Sequence, residues 1–122
     1  MRVACILVLS VIFTNVAAQT GPGGVGTSTN NVLWLRANNN VYTDAGVTFA
    51  ADGNSVQQWN DQSGNAKNAI QLTTNQPVYK TSILNGQPAI RFTGPSSRIL
   101  SAGVSTGNSA SVWAVASWSA LS

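Results

Sequence analysis

The sequence predicts an all-β protein built as an antiparallel two-sheet jelly-roll sandwich. Short runs rich in Val, Ile, Trp and Phe recur at spacings of roughly ten residues. Gly, Asn and Pro, which favour turns, separate these runs. No stretch of useful length repeats its apolar residues at the period of an amphipathic helix. Many short strands joined by tight turns are typical of sandwiches and jelly rolls.

The N-terminal residues have the pattern of a secretory signal peptide. A positive start at Met1–Arg2 precedes the apolar run Val3–Phe13, and small side chains follow at Val16 and Ala18. Signal peptidase reads small residues at such positions, so residues 1–18 are predicted to be removed by cleavage after Ala18. The run of about 11 apolar residues is short for a membrane anchor, which needs roughly 20. The protein is therefore predicted to be secreted or displayed at the cell surface.

The folded domain is predicted to occupy residues 32–122, because residues 19–31 have the Gly-rich composition of a linker. Its first element is Val32–Ala37, a β-branched, aliphatic and aromatic run that predicts a strand buried on both faces. The polar segment after it is predicted to be a loop, in which Val47–Ala50 forms a short extended stretch. The second strand is predicted at Ser55–Trp59.

Five further strands complete the predicted fold. They lie at Asn68–Leu72, Val78–Leu84, Gln87–Phe92, Arg98–Ala102 and Ser111–Ser119. The dipeptide Asn85–Gly86 favours positive φ at both central positions of a type I′ turn, so it predicts a hairpin. The last run, which is apolar and uncharged, predicts a central strand covered on both sides.

The composition excludes several classes of function. The chain has six basic and three acidic residues, no histidine and one cysteine, Cys5, within the predicted signal peptide. Its basic residues are scattered, so a nucleic-acid interface is not predicted. A Ser-His-Asp triad and a zinc site with nitrogen or sulfur ligands cannot be formed by the remaining residues. The acids are Asp44, Asp52 and Asp61, and nothing marks two of them as a glycosidase pair. The chain is therefore predicted not to be an enzyme.

The segment from Trp59 to Asn68, with the sequence WNDQSGNAKN, permits two interpretations. Oxygen atoms of its Asx and Ser side chains could bind calcium. The candidate ligands are Asn60, Asp61, Ser63, Asn65 and Asn68. A single carboxylate makes a weak calcium site, whereas Asx side chains bond their own backbone, and Gly64 and Asn65 tolerate left-handed φ. A tight turn is therefore the favoured interpretation, with calcium kept as the only cofactor considered.

The aromatic residues are assigned by their neighbours. Trp34, Trp59 and Trp113 lie within predicted strands beside aliphatic residues, so core packing is predicted for them. Tyr42 and Tyr79 lie in or beside loops and are the better candidates for a binding surface.

Three segments together resemble a known family. "LWLRA", "WNDQSGN" and "NGQPAIRF" occur in the order found in concanavalin A-like lectin/glucanase (laminin-G-like) domains of secreted Bacteroidetes-type surface proteins. The resemblance covers Val32 to about Ser119. It implies a two-sheet jelly roll in which Trp59 and Phe92 pack between the sheets and Asn60–Asn65 turns at the rim. Such domains are about twice this length, so the resemblance covers only an N-terminal portion and implies an incomplete sandwich.

The resemblance implies a non-catalytic module of the carbohydrate-binding or adhesion type, with a glycan or surface protein as partner. The chain has no glutamate, so no catalytic residue of the family's glucanases is carried over, and no metal or ligand residue is carried over either. Two alternatives stay open. One is a structural spacer in a larger surface protein, and the other is part of a glycoside hydrolase whose catalytic residues lie beyond the chain end. Membrane insertion after signal cleavage is not expected.

Overall fold

All regular elements of the described chain are strands, apart from a 3-10 turn at Pro22–Gly24. The computed structural model describes residues 21–24, 30–101, 103–107 and 110–117. The strands are β1 (Val41–Tyr42), β2 (Gln58–Trp59), β3 (Ala69–Ile70), β4 (Val78–Leu84), β5 (Gln87–Arg91) and β6 (Leu100–Ser101). Within these ranges there is no α-helix, and no helix that could cross a membrane. The all-β prediction is confirmed.

The strands form two antiparallel sheets. One sheet contains β1, β2, β3 and β6 in that order, so Val41 pairs with Trp59, which in turn pairs with Ala69. The other sheet is the β4–β5 hairpin. Each strand of the first sheet has only two residues, and the chain continues as loops on either side. The predicted architecture of two antiparallel sheets is therefore present.

The β4–β5 hairpin forms where the sequence predicts it. Asn85 and Gly86 have φ of 50° and 76°, the positive values that a type I′ turn requires. The register shifts between Lys80 and Leu84, and Ser82 within this interval has a φ of 54°. A β-bulge therefore interrupts the longer strand of the hairpin.

The core lies between β1, β3 and the start of β4. Val41, Tyr42, Val56 and Ala69 are its buried apolar residues, and Pro77 is fully buried beside them. Val56 belongs to no strand, yet its N–H donates to the Pro77 carbonyl at 2.8 Å. The segment before β2 therefore packs against the start of β4 with the buried Val56 N–H paired.

The prediction of a strand at Val32–Ala37 is wrong. Only Leu35 makes a bridge there, and its partner is Asp61. The Trp34 N–H donates to the Asp61 carboxylate at 2.8 Å, and the Trp34 carbonyl accepts from Gln62 N–H at 2.7 Å. The run therefore docks on a turn rather than on a neighbouring strand. Its side chains are not buried on both faces, since Trp34 and Leu35 are half-buried.

The prediction of a covered central strand at Ser111–Ser119 is wrong for its described part, residues 111–117. These residues form no strand, and the side chains of Val112, Trp113 and Val115 are 87%, 92% and 92% exposed. An uncharged β-forming run becomes a central strand only if strands pair with it on both sides. The described residues provide no such pairing.

Two other packing predictions need correction. Phe92 is 51% exposed and does not pack between the sheets, because β5 ends at Arg91 and the chain leaves the hairpin there. Trp59 is half-buried rather than enclosed in the core. Its indole N–H donates to the Arg36 carbonyl at 2.8 Å, so the polar edge of the ring is hydrogen-bonded to the backbone.

The predicted signal peptide, residues 1–18, and its cleavage after Ala18 lie outside the described residues. Only part of the predicted linker is described, and its end is fixed to the domain. The carbonyl of Asn31 accepts a hydrogen bond from the Asn65 amide at 2.8 Å. The docked part of the chain therefore includes the last residue of the predicted linker.

Candidate functional site

Asp61 is the centre of the segment from Trp59 to Asn68, whose side chains are the candidate calcium ligands. One carboxylate oxygen accepts from the N–H groups of Trp34 and Ser63, each at 2.8 Å. The other accepts from the Ser63 hydroxyl at 2.6 Å and from Lys67 N–H at 3.1 Å. A carboxylate offers about four acceptor positions, so these four donors use its capacity. The prediction that Asp61 forms a turn is confirmed.

The other calcium candidates also have internal partners. Asn68 accepts from Asp61 N–H, Asn60 accepts from the Gln58 amide, and the Asn65 amide donates to the carbonyl of Asn31. Of the two residues expected to tolerate left-handed φ, Gly64 has a φ of 91°, whereas the second such residue is Ala66, at 55°. In the described ranges no three His, Cys, Asp or Glu side chains lie close enough to hold a metal together. A calcium ion at Asp61 would have to displace donors already in place.

These contacts set the protonation of Asp61. Partial burial raises the pKa of its carboxyl, but hydrogen bonds from the Ser63 hydroxyl and N–H, from Trp34 N–H and from Lys67 N–H lower it by more. The pKa of Asp61 therefore lies below its ordinary value. The carboxylate is ionised at neutral pH, which is the form that accepts all four bonds.

A second aspartate closes the loop between β1 and Phe49. Asp44 accepts from the N–H groups of Val47 at 2.8 Å and Thr48 at 2.9 Å. Hydrogen bonds from the Thr48 side chain and backbone, and then from Val47 N–H, lower the pKa of Asp44 to about 2. The loop therefore folds back, and Phe49 pairs antiparallel with Tyr42.

An open cleft of about 220 Å³ lies between this folded-back loop, the chain before β1 and the start of β4. We call it the asparagine cleft. It is lined by Ala37, Asn38, Asn39, Asn40, Val41, Phe49, Ala50 and Tyr79. Three consecutive asparagines form one wall and two aromatic residues contribute to the others. Amide groups that can donate and accept hydrogen bonds thus lie beside apolar rings.

The Phe49 ring is both exposed and supported. It stacks on Tyr42 with ring centroids 4.8 Å apart and planes inclined by 23°. Tyr42 is 8% exposed, whereas Phe49 is 66% exposed. One face of Phe49 therefore rests on a core residue while much of its surface stays available to solvent or a ligand.

The asparagine wall is fixed from behind by the segment around Asp61. The Asn39 amide donates to the Gln62 side chain at 2.7 Å, and the Asn40 carbonyl accepts from Asn60 N–H at 2.9 Å. Asn40 has a φ of 52°, a strained value for a residue with a side chain, although Asn adopts it more readily than most. The turn around Asp61 therefore positions the cleft without lining it.

Of the two tyrosines predicted for a binding surface, the structure brings one to the cleft. Tyr79 lines it, and its backbone is held by Asn54 and Gly53 at 2.8 Å each. The prediction for Tyr42 is wrong, because this residue is buried as the support of Phe49. Sequence reasoning missed Phe49 and the asparagines. Phe49 lies in the stretch Val47–Ala50, which was predicted to be part of a loop. That position was the one indication that its ring is exposed.

No protein-family model, curated protein or solved structure matches the chain. The resemblance to concanavalin A-like lectin domains therefore stays a prediction.

Proposed function

We propose that the protein is a non-catalytic, secreted or cell-surface module that binds carbohydrate in the asparagine cleft. The observation that carries the proposal is the exposed Phe49 ring facing a cleft walled by Asn38, Asn39 and Asn40. The resemblance to lectin-like domains, on the segments quoted above, agrees with this assignment. The signal-peptide pattern of residues 1–18 supports export.

The chemistry of a sugar explains the choice of ligand class. A pyranose ring has faces that carry C–H groups and an edge that carries hydroxyls, each a donor and an acceptor. An exposed aromatic ring is suited to the C–H face, and amide side chains are suited to the hydroxyls. Binding sites commonly combine apolar walls with a few placed polar groups, as this cleft does.

The use of the carboxylates supports a non-catalytic role. Asp44 and Asp61 accept backbone N–H groups, and Asp52 binds Lys80 at 2.6 Å and Thr81 N–H at 2.8 Å. The pKa of Asp52 is lowered, most strongly by the hydrogen bond from the Lys80 ammonium and next by the bond from Thr81 N–H. A general acid needs a carboxyl that stays protonated near neutral pH, and all three carboxyls are shifted the other way.

Glycan binding by the purified protein tests the proposal. Binding should be detected on a glycan array and quantified by calorimetry, and Phe49→Ala should reduce it at least about tenfold by removing an aromatic contact. Phe92→Ala is the matched control, since Phe92 is also exposed but does not line the cleft. Equal loss in both variants would contradict a role for the cleft. Normal folding with no glycan bound would favour the structural spacer.

A further inference from the structure

The lining of the asparagine cleft carries no charged side chain. Its eight residues are Ala, Asn, Val, Phe and Tyr. A site for an acidic sugar would be expected to present Arg or Lys, whose N–H groups match a carboxylate. A site for an amino sugar in its cationic form would be expected to present a carboxylate. The cleft has neither.

The charged residues next to the lining in sequence are directed to other partners. The Arg36 guanidinium lies over the Trp34 ring, 5.3 Å from its centroid. Lys80 follows Tyr79 in β4, so its side chain leaves the opposite face of the strand, and it binds Asp52 at 2.6 Å. Asp44 is held by Val47 and Thr48. Each of these charged groups therefore has a partner outside the cleft.

The size of the cleft limits the ligand. Pockets for drug-sized molecules have volumes of roughly 300–1,000 Å³. The asparagine cleft, at about 220 Å³, is smaller. This volume suits one sugar ring held between Phe49 and the asparagine amides.

We infer that the asparagine cleft binds a single uncharged sugar residue, with a C–H face of the ring on Phe49 and its hydroxyls on the asparagine amides. This inference rests on the proposed carbohydrate-binding function and narrows its ligand. Asn38 is the principal amide contact, since it is exposed, whereas the Asn39 amide already binds Gln62 and the Asn40 amide oxygen accepts from Tyr42. Recognition by uncharged groups makes binding insensitive to salt.

Calorimetry with simple glycosides tests the inference. The probes are the methyl glycosides of glucose, galactose, mannose and N-acetylglucosamine, the corresponding uronic acids, and neutral oligosaccharides of the sugar that binds. We expect a neutral glycoside to bind, with less than about a twofold change between roughly 0.05 and 0.5 M sodium chloride. Lengthening the ligand beyond one residue should improve affinity by less than about threefold, because the cleft is expected to hold one ring.

The variants identify the site. Asn38→Ala should weaken binding of the neutral glycoside about tenfold by removing an amide hydrogen bond. Asn30→Ala is the control, since Asn30 is an exposed asparagine outside the cleft. Binding of uronic acids alone, a strong loss of affinity with salt, or a large gain with chain length would overturn the inference and leave carbohydrate binding intact. Failure of every glycan tested would overturn both.

Discussion

Two tryptophan-containing runs of this protein, Val32–Ala37 and residues 111–117, have similar sequences but differ in their packing. Both are apolar and rich in β-forming residues, and both predict strands buried on two faces. The first docks on the segment around Asp61, whereas the second is exposed and forms no strand. Among the residues that the structure describes, the difference lies in the backbone partners. A β-forming run docks on the rest of the fold where other groups satisfy its N–H and C=O groups, and apolarity alone does not achieve this.

The largest effect is expected for Asp61→Ala, which would make the first run resemble the second. The substitution leaves the N–H groups of Trp34, Ser63 and Lys67 without their acceptor. Loss of these charge-assisted bonds should lower the free energy of unfolding by about 3 kcal/mol in urea denaturation. Asp44→Ala is the matched control. It also removes an acceptor of two backbone N–H groups, but only within one exposed loop, so its effect should be smaller.

The two tryptophans offer the next test. Trp34→Ala should cost about 2 kcal/mol, because the ring is half-buried and loses its packing and the Arg36 guanidinium above it. Trp113→Ala, at a 92% exposed position, should change stability by less than about 0.5 kcal/mol. Thermal unfolding of both variants provides the measurement. Similar losses in the two proteins would show that the second run is docked in solution.

Acid should undo the docking of the first run. The pKa values of Asp44, Asp52 and Asp61 are all lowered in the folded protein, that of Asp44 to about 2. Between about pH 4 and 2 the unfolded chain therefore binds more protons than the folded chain. The stabilisation is complete above about pH 4 and is lost as the pH falls toward 2. Melting temperatures across this range should decline, and a constant value down to pH 2 would contradict the role given to the carboxylates.

The smallest effect is expected for calcium. The acceptor positions of Asp61 are already used by N–H and O–H donors, so an added ion would gain little. Neither calcium nor a chelator should move the melting temperature measurably, with magnesium as the control ion. A rise that saturates with calcium would revive the cation site and show that the donors around Asp61 rearrange.

The predictions that succeeded depend on local chemistry. Asn85–Gly86 fixes a type I′ turn by itself, and Asp61 bonds Ser63 two residues away. The predictions that failed depend on partners distant in sequence. Trp34 lies 27 residues from Asp61, and no periodicity in its own run reveals that its partner is a carboxylate.

The cleft was beyond sequence reasoning for a related reason. It needs the pairing of Phe49 with Tyr42 and the approach of Tyr79 from another sheet. Because Tyr42 is buried beneath the stacked pair, Phe49 is the ring that stays exposed. Only the fold decides which of two paired aromatic residues faces outward.

The bulge at Ser82 has a consequence for the behaviour of the protein at high concentration. The outer edge of β4 is occupied near its start by Ser55 and Asp52, through the bridge to Val78 and the bond from Thr81 N–H. Beyond it, Ile83 and Leu84 are 47% and 43% exposed, a pair of apolar residues that would invite a foreign strand. Because the backbone leaves the regular strand conformation at Ser82, the straight edge of β4 that an incoming strand could extend is short, and we expect this edge to resist fibrillar pairing.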